Sequence, residues 1–369
     1  MFTFHKETSK NVGSKKIYIE ALRVIAIFFV IFNHTGVQGF FLFSEYPFET
    51  PQFWCYLIVS IFCKFAVPIF FAISGALLLC RDDEALSILW KKRIVKIVIT
   101  LLVISIIYGM ATMYLHGYKL DIHTFFVMLY SSNLEGHLWY LYAYIAYLVS
   151  IPFLKAMVQN LKKQYFYYMI GIVFFFDFLY IIEHFLWSGT LTLNVHLKVS
   201  WILSSVVIYP CVGYFLEHRI DINQVGKKLP ILWGGNLLCM ILSSYATYCM
   251  GKRTGTLMES TSQWFHNSFV LINCMTIFLT LKYLFKKVNV KPVIGQVICS
   301  IGECTFGIYL LHILIKEMPF ARKFLDALLN IGMNHMVAIW IYIFVVLLCC
   351  WIVTWILKKI PGIRSVVGG

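Results

Sequence analysis

Charge is what this sequence has least of: Asp, Glu, Lys and Arg together make up 13% of its 369 residues, and only 17 residues are acidic. A soluble globular domain carries about 25% charged residues, so a water-facing surface of ordinary extent is excluded. No Pro-, Gly- or Ser-rich linker interrupts the apolar blocks, which leaves no place for a second domain. A CxxC pair is lacking, and with it a redox motif or small disulfide framework. Neither HExxH nor a Cys/His set with zinc spacing occurs, and His5, His116 and His123 stand isolated, so no metal is expected. There is no GxxxxGK[ST] loop, which argues against ATP hydrolysis. Fixed-period and inverted repeats are also missing, against several transporter folds.

What is present is apolar: 60% of the residues are hydrophobic and the mean hydropathy is +0.79. Cysteines such as Cys63, Cys239, Cys349 and Cys350 fall inside these blocks and read as small buried side chains. With about 20 apolar residues per span, the chain predicts an all-α, polytopic membrane bundle of about ten transmembrane helices. The expected spans are roughly 17–35, 53–80, 94–115, 137–154, 164–186, 199–217, 229–250, 264–285, 293–315 and 336–357. Residues 17–357 would form one membrane domain between cytoplasmic tails at 1–16 and 358–369. Residues 1–16 are polar and basic with no small-residue cleavage site, so the first apolar block is expected to be retained.

Basic residues alternate between connections, which sets the orientation. One set holds Lys15 and Lys16, Lys91 to Arg93, Lys162 and Lys163, Lys227 and Lys228, Lys286 and Lys287, and Lys358 and Lys359. The other holds only Lys119, Lys198, Lys252, Arg253, Lys316, Arg322 and Lys323. Both termini are therefore expected to be cytoplasmic. The net charge of +14 then reflects topology and anionic lipid headgroups as partners, not nucleic acid. Before the last span, Phe324, Leu325 and Leu328 would share one side of a short interfacial helix.

Two ionisable groups interrupt the first span, Arg23 near its start and His34 near its end. Eleven residues at about 100° each bring both to one helix face, about 16 Å apart along the axis. Taken alone, Arg23 also fits a side chain that snorkels to headgroups or pairs with Glu20. His34 alone also fits a neutral imidazole bonded near the interface. As a pair they suit a long ligand lying along the helix. In the second block, Pro68, Ser74 and Gly75 are expected to loosen the helix, and Gly75 admits a close neighbour. Arg93 and Lys96 share a face where the third span begins, as an anion site or as topological anchors.

These stretches together resemble the membrane acyltransferase family 3, polytopic acyl-CoA-dependent O-acyltransferases of bacterial surface glycans. The resemblance lies in Glu20 to Arg23 followed by His34, Pro68 to Gly75, Arg93 to Lys96, His137 to Leu141, and Ile301–Gly302 through Phe306 to His312. The pieces stand in family order across nearly the whole chain. It implies a multi-pass protein of the bacterial plasma membrane that takes an acyl group, usually acetyl, from cytoplasmic acyl-CoA. The acceptor would be a hydroxyl of a surface glycan or lipid-linked saccharide. His34 matches the family's essential histidine, Arg23 its motif arginine, and Arg93 and Lys96 a basic pair linked to the donor phosphates. The family more often has arginine where Lys96 stands, and lysine loses bidentate phosphate geometry. Some members carry an extra esterase-like domain, and none is expected here. The family is also linked to export components, so polysaccharide or lipid-linked sugar export is the alternative, and a non-catalytic sensor a third.

The chemistry of the residues agrees with that picture. Arg23, Arg93 and Lys96 lie toward the cytoplasmic side and suit phosphates, while His34 suits the removal of a hydroxyl proton. A transient acyl-histidine is equally compatible with the sequence. Further candidates are Glu20 and Ser74, His312 as a possible neighbour of His34, and His137 and Trp139 as acceptor contacts or aromatic belt. Aromatic rings such as Trp139 and Tyr140 could stack on a sugar face. Asp177, Glu183 and His184 could line the acceptor cavity or pair with Lys64, and Glu303 could be a buried carboxylate or a helix cap.

Overall fold

The computed structural model describes residues 16–82, 84–117, 121–185, 191–197, 199–255 and 268–368. His5, Lys15, Lys119 and Lys198 lie outside these residues, as do the side chains of His116 and His184. The described chain is helical, with no strand among those residues. The main helices are α1 (Ile17–Asn33), α2 (Pro51–Cys63), α3 (Ala66–Leu78), α4 (Val95–His116), α5 (Ile122–Ser131), α6 (Trp139–Asn160), α7 (Lys163–Phe185) and α8 (Ser205–His218). They continue with α9 (Ile222–Thr254), α10 (Ser268–Lys287), α11 (Pro292–Gly302), α12 (Thr305–Glu317), α13 (Pro319–Asn330), α14 (His335–Leu357) and the short α15 (Ile363–Val367).

Six helical stretches are long and apolar enough to cross a membrane, or seven with α11 and α12 taken as one span bent by 64°. That is fewer than the ten expected, although each expected position holds a helix. With 17 residues in α1 and 14 in α8, both fall short of the roughly 20 that a full crossing needs. Several side chains of α7 lie outside the described residues. Apolar content marked the positions correctly; helix ends and bends fix the spanning length. The short helix expected before the last span forms as α13, with Leu325 buried and Phe324 and Leu328 packed on the core.

The second apolar block breaks at Lys64–Phe65, not at Ser74 or Gly75. Pro68 lacks an N–H for the Lys64 carbonyl and its ring crowds that oxygen, so the helix restarts there. Neighbouring helices satisfy the carbonyls beside the break: Asn273 Nδ2 donates to Phe62 at 2.7 Å and Asn33 Nδ2 to Cys63 at 3.3 Å. Gly75 fills its expected role, since a Cβ there would strike the Pro210 backbone, and one on Gly213 would strike Ala72. The two glycines let α3 and α8 pack backbone to backbone, which substitutes close dispersion contact for the hydrophobic effect that lipid does not supply.

Lys16, Arg93, Lys282 and Lys358 lie at one end of the bundle, the basic end. There the buried Glu217 of α8 binds Lys16 at 2.5 Å, Lys282 at 3.0 Å and the Tyr18 hydroxyl, tying α1, α8 and α10 together. His34 and Lys316 lie at the opposite end. Helix α1 runs between the two ends, with Glu20 against Gly302 and His34 against His312 of α12.

Candidate active site

Three histidines from three separate stretches meet at the end of α1. The His34 ring centroid lies 5.0 Å from that of His312 and 6.1 Å from that of His137, and His137 and His312 are 5.2 Å apart. His34 follows the last residue of α1, and its Nδ1 is 2.7 Å from the Val30 carbonyl. A carbonyl only accepts, so Nδ1 carries the proton and the neutral ring keeps its lone pair on Nε2. His312 is fixed in the same way by the Tyr309 carbonyl at 2.7 Å, and its Nε2 lies 3.4 Å from His34 Nδ1. His312 therefore offers a second, longer acceptor to the His34 N–H.

His137 is 3% exposed, and its Nε2 has no hydrogen-bond partner among the described residues. Its carbonyl accepts from the Tyr309 hydroxyl at 2.7 Å, and its ring stands 5.0 Å from that of Tyr108. Lys316 Nζ donates to the His34 carbonyl at 2.7 Å, fixing the chain where it leaves α1. In the sequence Lys316 stands only as one member of the sparser basic set.

A cavity of about 980 Å³ opens toward the basic end, near the upper limit of about 1,000 Å³ for small-molecule sites. Arg23, Arg93, Lys96 and Ser74 all line it, as do Val30 and Tyr309, whose carbonyls hold His34 and His312. The polar mouth and the imidazole cluster thus share a wall made of one turn of α1 and one of α12. Tyr140 and Tyr144 supply an aromatic side. Trp139, by contrast, is 42% exposed and is not part of the lining.

Arg23 pairs with Glu20 at 2.9 Å, as its spacing suggested, and Glu20 is nearly buried. Glu20 Oε2 has no partner among the described residues. Arg93 lies in a π-helical turn, Leu89–Ile94, that leads into α4, and its Nε meets Glu84 at 3.0 Å. Such wide turns often re-aim side chains at functional sites, and here Arg93 and Lys96 face one cavity. Lys92, Lys358 and Arg364 join the lining, a role the sequence did not suggest. Lys358 is near Glu303 at 3.8 Å, whereas Lys92, Lys96 and Arg364 have no carboxylate partner among the described residues. Glu183 accepts from the Leu193 N–H at 2.6 Å, a loop contact. No group of three metal-ligating side chains with suitable geometry occurs among the described residues.

Apolar spans around a basic cavity that backs onto buried imidazoles are the features of a multi-pass membrane protein. The family model described as an acyltransferase domain, acyltransferase family 3, matches residues 16–355, and the chain belongs to that family. The protein is a membrane acyltransferase. No curated protein and no solved structure matches it.

Proposed function

We propose that the protein moves an acyl group, acetyl most simply, from acyl-CoA to a hydroxyl of a cell-surface glycan or lipid-linked saccharide at the bacterial plasma membrane. Both termini and the cavity mouth would face the cytoplasm, in keeping with the distribution of lysine and arginine. Arg23, Arg93 and Lys96 would hold the donor phosphates through charge-assisted bonds, and the pantetheine arm would run along α1 toward His34.

The observation that supports this is the fixed tautomer of His34, which does not itself line the basic cavity but stands behind Val30 of the cavity wall, so that the thioester would reach it past that wall. With Nδ1–H held by Val30, Nε2 takes the acceptor's hydroxyl proton as the oxygen attacks the thioester carbon. The new C–O bond forms, the C–S bond breaks, and the imidazolium returns its proton to the departing thiolate. His312 steadies the His34 N–H, and Lys316 holds its backbone. Lys92, Lys96 and Arg364, which have no carboxylate partner among the described residues, suit the phosphates of an acyl-CoA donor and speak against export of a neutral polysaccharide; export of a lipid-linked sugar, whose linkage carries phosphate, is separated by the transfer assay.

The test is acyl transfer in reconstituted protein. His34→Ala is expected to abolish transfer from acetyl-CoA while insertion and folding persist, and full retained activity would overturn the mechanism. Mass spectrometry of glycans and lipids from a strain lacking the gene would identify the acceptor by its lost acyl mass.

A further inference from the structure

After α14 the chain does not run away from the bundle. Pro361 and Gly362 turn it back, Gly362 at φ +86°, a conformation L side chains rarely adopt. Helix α15 then packs against α4, α12 and α14, with Val367 only 5% exposed. The Thr100 hydroxyl of α4 reaches the Val366 carbonyl at 3.5 Å, one turn beyond Lys96. Within the segment, Arg364 N–H donates to Ile360 at 3.1 Å, and Gly368 N–H to Arg364 at 3.0 Å. The result is a strap whose inner side, Gly362, Arg364, Ser365 and Gly368, lines the cavity that also holds Arg23, Arg93 and Lys96.

Arg364 is the informative member. It is exposed, it lines the cavity, and it has no carboxylate partner among the described residues. A guanidinium presents a fork of donors that matches phosphate oxygens in pairs. Lys96 on the same cavity wall presents a single ammonium and lacks that fork. We propose that the strap 361–368 forms part of the donor site, and that Arg364 supplies the bidentate phosphate contact that Lys96 cannot make. This rests on the assignment of acyl-CoA as donor. The shared chemistry is a phosphate-bearing anion, and a phospholipid headgroup is the other possible source.

The experiment measures coenzyme A binding to the full chain in nanodiscs of neutral phosphatidylcholine, together with the ligand-free thermal midpoint. Arg364→Gln is expected to weaken coenzyme A about tenfold or more, at the scale of a charged hydrogen bond, with the midpoint unchanged. Arg364→Lys should recover part of the loss, and Gly362→Ala, which misplaces the strap but keeps the arginine, should weaken binding in the same direction. Unchanged affinity in Arg364→Gln overturns the proposal, as does a loss of affinity accompanied by a lowered midpoint that Arg364→Lys does not rescue. If Arg364→Gln leaves coenzyme A affinity unchanged but abolishes binding of phosphatidylglycerol, the phosphate at Arg364 is a lipid's and the proposal fails. Absence of coenzyme A binding by the unaltered protein would overturn the donor assignment itself, which an unchanged Arg364→Gln would leave standing.

Discussion

Replacing His34 by alanine separates chemistry from structure more cleanly than any other change in the bundle. The imidazole makes one short hydrogen bond, to Val30 at 2.7 Å, and one long contact, to His312 Nε2 at 3.4 Å. Their loss costs about 0.5–1.5 kcal/mol of stability for the short bond and little for the long one, so the protein is expected to fold and insert. Catalysis should suffer far more, because a positioned general base contributes about 10²–10⁴-fold, or roughly 2.7–5.5 kcal/mol of barrier. His312→Ala is the control. It leaves the His34–Val30 bond in place and removes the long contact to His34 together with the bond of the buried His312 to the Tyr309 carbonyl, so the rate per folded molecule should fall by roughly 2- to 10-fold, the equivalent of a weak hydrogen bond, with a lowered thermal midpoint from the lost bond and packing. The assay is initial-rate transfer from radiolabelled acetyl-CoA in proteoliposomes, with thermal unfolding measured on the same preparations. Equal losses in the two variants would refute His34 as the base and point to a shared structural role, and so would a His34→Ala rate within about tenfold of the unaltered protein.

Other consequences test the surrounding frame. Arg23→Ala should raise the acyl-CoA concentration needed for half-maximal transfer, since a cavity cation is lost, and an unchanged requirement would reduce Arg23 to an anchor. Gly75→Ala puts a methyl group onto the Pro210 backbone; overpacking of this kind costs about 1–3 kcal/mol, read as a lowered thermal midpoint. Asn273→Ala removes the donor to Phe62 and leaves a carbonyl unsatisfied beside the break between α2 and α3. A buried orphan costs about 1–3 kcal/mol, and a variant as stable as the parent would show that another donor replaces it.

Sequence alone determined the features that depend on local spacing. Composition set the helical membrane class, and the eleven-residue step predicts Arg23 and His34 on one stripe, because helical periodicity acts within a few turns; α1 ends at Asn33, so His34 stands just past it, and of the two only Arg23 lines the cavity. The ordered motifs named the family, and Gly75 announced a close neighbour without saying that it would be the Pro210 backbone. Tertiary structure decided what meets what. His34, His137 and His312 converge across separations of up to 278 positions, and no periodicity encodes that. Ser74 reached the cavity and Trp139 did not, although both stood in family motifs. In the sequence Arg364 is one basic residue past the last span, with no motif to single it out, and a turn at Gly362 and a buried Val367 bring it to the cavity. The number of full crossings was decided there too: hydropathy measures how apolar a stretch is, whereas the ends of α1 and α8 and the 64° bend between α11 and α12 decide how far it reaches.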